Sequence, residues 1–434
     1  MCHNVRMVNV VIVITVVMTS SSVAGEVPKN YILMSVFIVI RHGDRTPMTS
    51  FLGVPRPSPK RGCTMDAEYL QSVPQLRSFL SDMEMQKDKQ PVRSDFANWA
   101  LYPQHSECSS SQLTGAGATQ HLLNGLALKA KYLNKWNLFG THFSPSTQLD
   151  LRSTLISRTY QSAIALLYTF LPRFNISELD IHAARNSMFC SPSVVPGACC
   201  MNLVKLKQEA DKGLHKRGEK NPAWQPAMGA LAEVFGVKGD HLPWPTALLD
   251  MLQGHACHSL PLPCGSSGKC VTAAMMEKLW TLVDSDARSY RNDSRFDQYC
   301  RTVIHSLLLE ILNSMVRVSH NQSPVKFTLY SGHDLTVSPL LQALGVHEGK
   351  WPHYATRVVF ELYRKVRAKG AHYLRIVHNG RDVTPLVRFC QGRTEEGMCQ
   401  LKYFQYFVER DNMEVIGASD RQSLASFCKS KALV

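Results

Sequence analysis

A strand that must be buried on both faces is the feature that most constrains this sequence. Residues 35–40 read Ser-Val-Phe-Ile-Val-Ile, an apolar run without polar alternation. Such a strand is typical of the central sheet of an α/β protein, where helices cover both faces. The run continues directly into Arg-His-Gly-Asp-Arg-Thr-Pro at residues 41–47. Because the carboxyl ends of strands in α/β sheets commonly carry ligand sites, we expect a site at this point.

A second apolar run ends in a similar way, at a histidine beside a carboxylate. Residues 327–334 read Phe-Thr-Leu-Tyr-Ser-Gly-His-Asp. Arginine is permanently charged and forks two donors onto phosphate oxygens, and a neutral imidazole can attack phosphorus. A carboxyl group can protonate a leaving alcohol. The two motifs therefore predict a site that binds a phosphoryl dianion, attacks it with His42 and protonates the leaving group with Asp334.

These motifs resemble a known family signature. Residues 41–47 resemble the Arg-His-Gly-X-Arg-X-Pro signature of histidine acid phosphatases, and His333-Asp334 resembles the second pair of that family. Leu-Arg-Ser-Thr at residues 151–154 resembles the segment that supplies a further phosphate-binding arginine. Residues 112–117 resemble the Leu-Thr-X-X-Gly start of a helix in the family. The likeness extends over residues 30–415 and is loose between 190 and 325.

The resemblance implies a role for each matching residue. It makes His42 the nucleophile, which forms a phosphohistidine, and Asp334 the acid. The residues that would bind the phosphoryl group are Arg41, Arg45, Arg152 and His333. Arg158, later in the same segment, is expected to pack or to pair. No metal or organic cofactor is expected, because the arginines supply the positive charge that a metal supplies in other phosphatases.

One branch of the family is most similar outside the shared motifs, namely the 2-phosphoxylose phosphatases of proteoglycan synthesis. The similar stretches are residues 119–125, 165–172, 335–345 and 379–384. The likeness implies removal of the 2-O-phosphate from xylose in the glycosaminoglycan–protein linkage region. The alternative is a broad-specificity lysosomal or secreted acid phosphatase. From a different class, a non-catalytic glycan-binding protein is the second alternative, and the intact set of motif residues disfavours it.

Strands alternate with helical patterns, which predicts an α/β three-layer sandwich with a mostly parallel central sheet, as in phosphoglycerate mutase-like proteins. At 434 residues the chain is long enough for a second domain or a large insertion. We predict a phosphatase core at 29–189 and 326–434 and a mainly helical, cysteine-rich cap at 190–325. Helices are expected at 117–133, 158–171 and 336–344, and a hairpin at 358–363 and 373–377.

The N-terminal segment and the cysteines of the chain indicate the secretory pathway. Residues 1–24 combine Arg6, a short apolar stretch and small residues, which predicts a signal peptide or a signal anchor. Twelve cysteines follow this segment, an even number that favours disulfides, and 390–399 and 264–270 are the expected pairs. The Golgi lumen or membrane is the expected location, and secretion or the lysosome is the alternative. Contact with a membrane is expected only if the N-terminal segment is an uncleaved anchor.

A zinc cluster is the alternative use of one group of side chains. These are His255, Cys257, His258, Cys264 and Cys270, whose spacing matches no regular zinc pattern. Three Asn-X-Ser sequons, at Asn175, Asn292 and Asn321, are typical of a glycoprotein.

The formal net charge of +14 favours anionic substrates, either a phosphorylated glycan or a small phosphate ester. Nucleic acid is disfavoured as a partner, because aromatic residues do not interleave with the basic ones.

Overall fold

The computed structural model describes residues 27–48, 73–89, 91–92, 94–103, 110–184, 201–219, 221–258, 260–366 and 370–417. The predicted leader at 1–24 lies outside these residues. So do seven cysteines, namely Cys2, Cys63, Cys108, Cys190, Cys199, Cys200 and Cys428. Among the described helices, none is both long enough and apolar enough to cross a membrane.

Nine strands form a single sheet within the described residues. In chain order they are β1 (Tyr31–Arg41), β2 (Leu149–Ser153), β3 (Ile181–Ala183), β4 (Phe327–Gly332), β5 (Arg357–Lys365), β6 (His372–His378), β7 (Arg381–Asp382), β8 (Thr394–Glu395) and β9 (Met398–Gln400).

Neighbouring strands follow the order β3-β2-β4-β1-β5-β6-β9-β8, and β7 pairs with β6. The four strands from β3 to β1 run parallel, whereas the strands from β5 onward are added by antiparallel pairing. The α/β fold with helices around a large sheet is therefore confirmed. The predicted hairpin is also confirmed, as β5 and β6.

The main helices in chain order are α1 (Pro74–Gln86), α2 (Gly115–Leu128), α3 (Pro145–Gln148), α4 (Ser157–Phe170), α5 (Met201–Glu219), α6 (Trp224–Phe235), α7 (Pro245–Cys257), α8 (Ala273–Arg291), α9 (Ser294–Ser319), α10 (Asp334–Leu344), α11 (Leu401–Tyr406) and α12 (Asn412–Ile416). The π-helical turns Lys129–Lys135 and Phe407–Asp411 continue α2 and α11. Four short 3₁₀ turns complete these elements, at Ser94–Phe96, Ile176–Glu178, Gly239–His241 and Thr384–Leu386.

Alternate side chains of β1 enter two different hydrophobic layers, as a doubly buried strand requires. Val36, Ile38 and Ile40 pack with residues of α1, α2 and α4 on one face of the sheet. Phe37 and Val39 pack with residues of α9 and α10 on the other face. The three-layer arrangement follows directly from this unbroken apolar strand.

The helices between β3 and β4 divide into two groups. Residues of α6, α7 and α8 form a hydrophobic cluster of their own, from Ala227 to Val283. The second half of α9, from Ile304 to Val318, packs instead in the layer under the sheet. Leu203 of α5 packs with Tyr299, Cys300 and Val303 in the first half of α9. We therefore propose that α6–α8 form the cap, that α5 packs on α9, and that the second half of α9 belongs to the core, which shortens the predicted cap of 190–325 at its carboxyl end.

Both expected disulfides are present and lie in different parts of the fold. Cys264 bonds to Cys270 in the loop between α7 and α8. Cys390 bonds to Cys399 and ties the chain after β7 to β9. The pairing of Cys264 with Cys270 removes two ligands from the alternative zinc cluster.

A close backbone approach explains the glycine in the Leu-Thr-X-X-Gly segment. A Cβ added to Gly117 in α2 would lie 2.2 Å from the Asp44 carbonyl oxygen, and one added to Gly43 would lie 2.3 Å from the Gly117 carbonyl oxygen. The loop after β1 thus rests directly on the first turn of α2, and only residues without a Cβ allow this distance.

We expect Gly117→Ala to lower the free energy of unfolding by about 1–3 kcal/mol, because the new methyl group must push the Asp44 backbone away. Gly229→Ala is the matched control, since Gly229 is also helical and an added Cβ there meets nothing within 4 Å. The control should stabilise by about 0.4–1 kcal/mol through the unfolded chain. Urea denaturation measures both, and equal effects would contradict the close-approach argument.

Candidate active site

Two parallel strands bring the two histidines of the predicted site together. β1 pairs with β4 so that Arg41 lies opposite Gly332, and each strand is followed directly by its histidine. The ring centroids of His42 and His333 are 5.5 Å apart, and the two side chains are buried. The structure therefore unites motifs that are far apart in the sequence.

The loop that carries His42 is held by hydrogen bonds on several sides. The Gly43 amide donates to the Ser162 hydroxyl of α4 at 3.0 Å, and the Asp44 amide donates to the Gln120 side chain of α2 at 2.9 Å. The His42 imidazole lies 2.8 Å from the Gly43 carbonyl oxygen through Nδ1. A carbonyl only accepts, so Nδ1 carries the proton, and Nε2 is left with the lone pair that a nucleophile needs.

The surroundings of His42 keep this imidazole neutral. Burial and the charges of Arg158 and Arg41 hold the pKa of His42 well below the usual value. His42 therefore retains its nucleophilic lone pair in acidic solution, where an ordinary histidine is protonated.

Three buried guanidinium groups surround the two histidines. They belong to Arg41 at the end of β1, Arg45 in the following loop and Arg158 in the first turn of α4. Their Nε atoms are buried without a hydrogen-bond partner among the described residues. Burial and the nearby charge of Arg45 lower the pKa of Arg158 to about 10, which still leaves it charged at neutral pH. Crowded guanidinium groups with unpaired donors fit an anion with several oxygens.

His333 lies between Arg158 and Thr154. Its Nδ1 is 3.5 Å from Nη2 of Arg158, and its Nε2 is 3.0 Å from the Thr154 hydroxyl. Because a guanidinium only donates, Nδ1 is the acceptor and Nε2 carries the proton. Burial and the charge of Arg158 lower the pKa of His333 to about 3, so the ring stays neutral.

Arg152, expected from the sequence to bind the phosphoryl group, is not brought into this cluster. It lies on β2 and bonds the carboxylates of Asp150 at 3.0 Å and of Glu310 on α9 at 3.1 Å. Its neighbours Leu151 and Ser153 point to the opposite face, because side chains alternate along a strand. Asp150 and Arg152, two residues apart, share the face toward α9, and that spacing was the overlooked signal. The guanidinium in the cluster is that of Arg158, which the sequence had suggested only for packing or pairing.

Asp334 is the first residue of α10 and faces Arg41. Its carboxylate lies 3.4 Å from Nη2 of Arg41, and its side chain is 17% exposed. Burial opposes ionisation, but the charges of Arg41 and Arg45 prevail and lower the pKa of Asp334. The carboxyl group is thus ionised in the free protein. A phosphoryl dianion that neutralised these arginines would raise the pKa of Asp334, as an acid that protonates a leaving group requires.

Sequence reasoning missed three residues that contact this cluster. Tyr354, in the loop before β5, lies under the guanidinium of Arg41 at 4.3 Å from the ring centroid. Asp250 of the cap helix α7 bonds Arg45 at 2.9 Å. His258, at the end of α7, lies 2.8 Å from the buried carboxylate of Asp44. None of them belongs to a local motif, since each reaches the site only through tertiary packing.

The pair formed by His258 and Asp44 accounts for another member of the alternative zinc cluster. Burial opposes the charge on both groups, but their mutual attraction raises the pKa of His258 and lowers that of Asp44. Thr114, the N-cap of α2, also donates to Asp44 at 2.6 Å. His255 lies 2.9 Å from the Pro261 carbonyl oxygen. These side chains thus have protein partners.

Comparisons with known proteins agree with this geometry. The sequence profile of the Histidine phosphatase superfamily (branch 2) matches residues 32–189 and 288–379. The chain belongs to this superfamily. It is 34% identical over 401 residues to 2-phosphoxylose phosphatase 1 of Mus musculus and 33% identical to that of Homo sapiens. In both cases the match covers 92% of this chain and 82% of the relative. The family, the resemblance to this branch and the assignment as a phosphatase are confirmed.

The fold is also found in solved structures. The apo form of Hafnia alvei phytase aligns with a TM-score of 0.56 and 15% sequence identity, over 94% of this phosphatase and 100% of the phytase. At this identity the likeness shows the shared architecture alone.

We expect Arg158→Gln to lower kcat/KM for an aryl phosphate by about 10- to 100-fold, the size of one lost charged hydrogen bond. Arg152→Gln removes the same charge outside the cluster and should lower kcat/KM less than about threefold. Steady-state kinetics on the two purified variants makes the comparison, with folding checked by circular dichroism.

The pH profile supplies a second readout of Arg158. Its positive charge holds the pKa of His42 down, so removing the charge stabilises the imidazolium. The acid limb of kcat/KM should therefore move to higher pH in Arg158→Gln and stay in place in Arg152→Gln. A larger loss or a larger pH shift in Arg152→Gln would return the phosphate-binding role to Arg152.

Proposed function

We propose that this phosphatase hydrolyses phosphate monoesters through a phosphohistidine on His42, and that its substrate is the 2-O-phosphate of xylose in the glycosaminoglycan–protein linkage region. The observation that supports the chemistry is the buried neutral His42, with Nε2 unblocked, among three guanidinium groups. The substrate proposal is supported by the relatives named 2-phosphoxylose phosphatase 1, which are 33–34% identical over most of this chain.

In the proposed reaction the arginines hold the phosphoryl oxygens while the imidazole attacks. Arg41, Arg45 and Arg158 donate to the nonbridging oxygens and neutralise the charge that spreads over them in the transition state. His333 accepts from Arg158 through Nδ1 and donates to Thr154 through Nε2, so in this proposal it holds the guanidinium of Arg158 in place. The contact with the phosphoryl group that the sequence predicts for His333 stays a prediction. Nε2 of His42 bonds to phosphorus as the bond from phosphorus to the ester oxygen breaks.

Asp334 completes the first step by protonating the leaving oxygen. The bound phosphoryl group offsets the charges of Arg41 and Arg45, so the carboxyl group can hold a proton at the pH of reaction. In the second step the ionised Asp334 accepts a proton from water, and that water displaces the imidazole and releases inorganic phosphate. The arginines supply the positive charge throughout, so no residue of the proposed site is assigned to a metal.

The proposed location is the secretory pathway, in the Golgi lumen or at its membrane. Two disulfides in the described residues support an oxidising compartment. A broad acid phosphatase of the lysosome or of the cell exterior is the competing proposal, and substrate preference separates the two.

We expect Asp334→Asn to lose about 10²- to 10⁴-fold in kcat on a sugar or alkyl phosphate, whose alkoxide leaves poorly without a proton. On nitrophenyl phosphate, whose phenolate leaves readily, the loss should be much smaller. His42→Ala is the control and should abolish turnover of both esters, while rapid quench of the wild type traps acid-labile phosphate. Equal losses on the two esters would assign Asp334 to binding rather than to proton donation.

The substrate proposal is tested with three esters at equal pH and salt, namely a linkage oligosaccharide with 2-phosphoxylose, nitrophenyl phosphate and inositol hexakisphosphate. We expect kcat/KM to be highest for the oligosaccharide, because the basic surface attracts an anionic glycan over long range. The advantage should shrink as salt rises, since the screening length is about 8 Å at physiological ionic strength. Equal turnover of the oligosaccharide and nitrophenyl phosphate would favour the broad acid phosphatase.

A further inference from the structure

The cap helix α7 places a carboxylate against one of the phosphate-binding arginines. Asp250 meets Arg45 through two contacts, from Nη2 to Oδ1 at 2.9 Å and from Nη1 to Oδ2 at 3.2 Å. The Met48 amide donates to Oδ2 of Asp250 at 2.9 Å, which fixes the carboxylate from a second direction. The Asp250 side chain is 16% exposed and that of Arg45 is 5% exposed. The contacts with Arg45 and Met48 thus fix the negatively charged carboxylate of Asp250 at the wall of the site.

Carboxylates compensate the charge of two of the three guanidinium groups. Arg41 faces Asp334, Arg45 faces Asp250, and Arg158 lies beside neutral His333. The carboxylate of Asp44, next to Arg45, is paired with His258. The described part of the site is therefore not a broad cationic basin. With Asp334 ionised the three guanidinium groups and two carboxylates carry a net charge of +1, and with Asp334 protonated they carry +2, which one dianion neutralises. The donors that the carboxylates leave unused hold this dianion.

A second phosphate on the substrate would meet a different environment. Arg45 contacts the reacting phosphoryl group in the proposed reaction, so Asp250 lies one guanidinium width from that group. A phosphate on the adjacent carbon of a sugar ring or inositol ring would approach this fixed carboxylate and be repelled. A hydroxyl group on that carbon would donate a hydrogen bond to it instead. The Asp250 carboxylate thus distinguishes a phosphate from a hydroxyl group on the carbon next to the reacting ester.

We propose that Asp250 is a specificity-determining residue that restricts this phosphatase to esters with a single phosphate and a hydroxyl on the neighbouring carbon. Vicinal polyphosphates are excluded by repulsion from the Asp250 carboxylate, a use of like charge against the wrong substrate. The inference deepens the proposed function, since it rests on the phosphoryl site described above. It does not depend on xylose as the sugar.

The test compares two inositol ligands as competitive inhibitors of nitrophenyl phosphate hydrolysis. The ligands are inositol 2-monophosphate and inositol hexakisphosphate, and the readout is the ratio of their inhibition constants. Asp250→Asn removes the charge with little change in shape, and we expect it to tighten the hexakisphosphate by about tenfold relative to the monophosphate, a size typical of one partly screened charge pair. Inhibition constants report binding even where the hexakisphosphate is not turned over.

A second variant, Gln253→Glu, adds a negative charge at the site instead of removing one. Gln253, one turn along α7, donates to the Tyr354 hydroxyl at 3.0 Å and so also contacts the site. Gln253→Glu should shift the ratio against the hexakisphosphate by a similar factor, and it keeps the test decisive if Asp250→Asn folds poorly. Glu277→Gln, on the exposed side of α8, removes one negative charge as Asp250→Asn does, but away from the site. It should leave the ratio of inhibition constants unchanged.

Opposite shifts in Asp250→Asn and Gln253→Glu, with no shift in Glu277→Gln, establish the proposal. An unchanged ratio in both site variants overturns it and leaves Asp250 as an anchor of the cap. An equal shift in Glu277→Gln also overturns it, because the effect would then follow net charge. Failure of the glycan proposal is seen separately, in the ranking of esters, since no arm of this test uses a glycan.

Discussion

Six residue pairs between β1 and β4, from Val36–Phe327 to Arg41–Gly332, set the distance between the two histidines. A slip of one residue would move His42 by about 3.3 Å along the strand and reverse every side chain of β1 to the other face of the sheet. The buried alternation of Val36 and Phe37 between two hydrophobic layers prevents such a slip. The register of the core therefore fixes the distance between the two histidines, and the hydrophobic packing that stabilises the sheet also positions His42, the proposed nucleophile.

Three guanidinium groups in one buried cluster repel each other, and the fold offsets that cost with carboxylates. Asp334 of α10 faces Arg41, and Asp250 of α7 faces Arg45, so each carboxylate comes from a helix that does not carry its arginine. The same positive field keeps His42 neutral and Asp334 ionised before substrate arrives. In the proposed reaction a bound dianion offsets the charges of Arg41 and Arg45 and so raises the pKa of Asp334. In that proposal the substrate itself brings Asp334 to the protonated state that a general acid needs.

The sequence predicted the parts of the site that depend on short motifs. Two apolar strands end at or just before five residues of the site, namely Arg41, His42, Arg45, His333 and Asp334. Their place at the carboxyl edge of the sheet could therefore be inferred before the pairing of the strands was seen. The choice between Arg152 and Arg158 could not be made from a resemblance, because it depends on which face of β2 carries Arg152 and on where the first turn of α4 places Arg158. Strand periodicity and Asp150 two residues before Arg152 would have indicated the answer.

Contacts from the cap were beyond local sequence reasoning. Asp250 and His258 reach the loop after β1 only because α7 crosses the site, and no spacing in the sequence reports that crossing. The carboxyl end of the cap was predicted too late in the sequence for the same reason. α9 resembles the preceding helices in pattern, but its second half packs on the sheet rather than in the cap cluster. Periodicity identifies a buried helix face, whereas the partner of that face is a property of the whole fold.

The order of the strands also has a consequence for how the chain is made. β1 is a central strand, yet both of its neighbours, β4 and β5, come from the last quarter or so of the sequence. During synthesis β1 is made before either of its partners, and both of its edges remain unpaired until roughly 290 further residues, up to β4, have been translated. Unpaired apolar edges are sites of aggregation. A nascent or truncated chain that ends within the cap lacks both β4 and β5, so the two edges of β1 stay without their native partners until the C-terminal part has been translated.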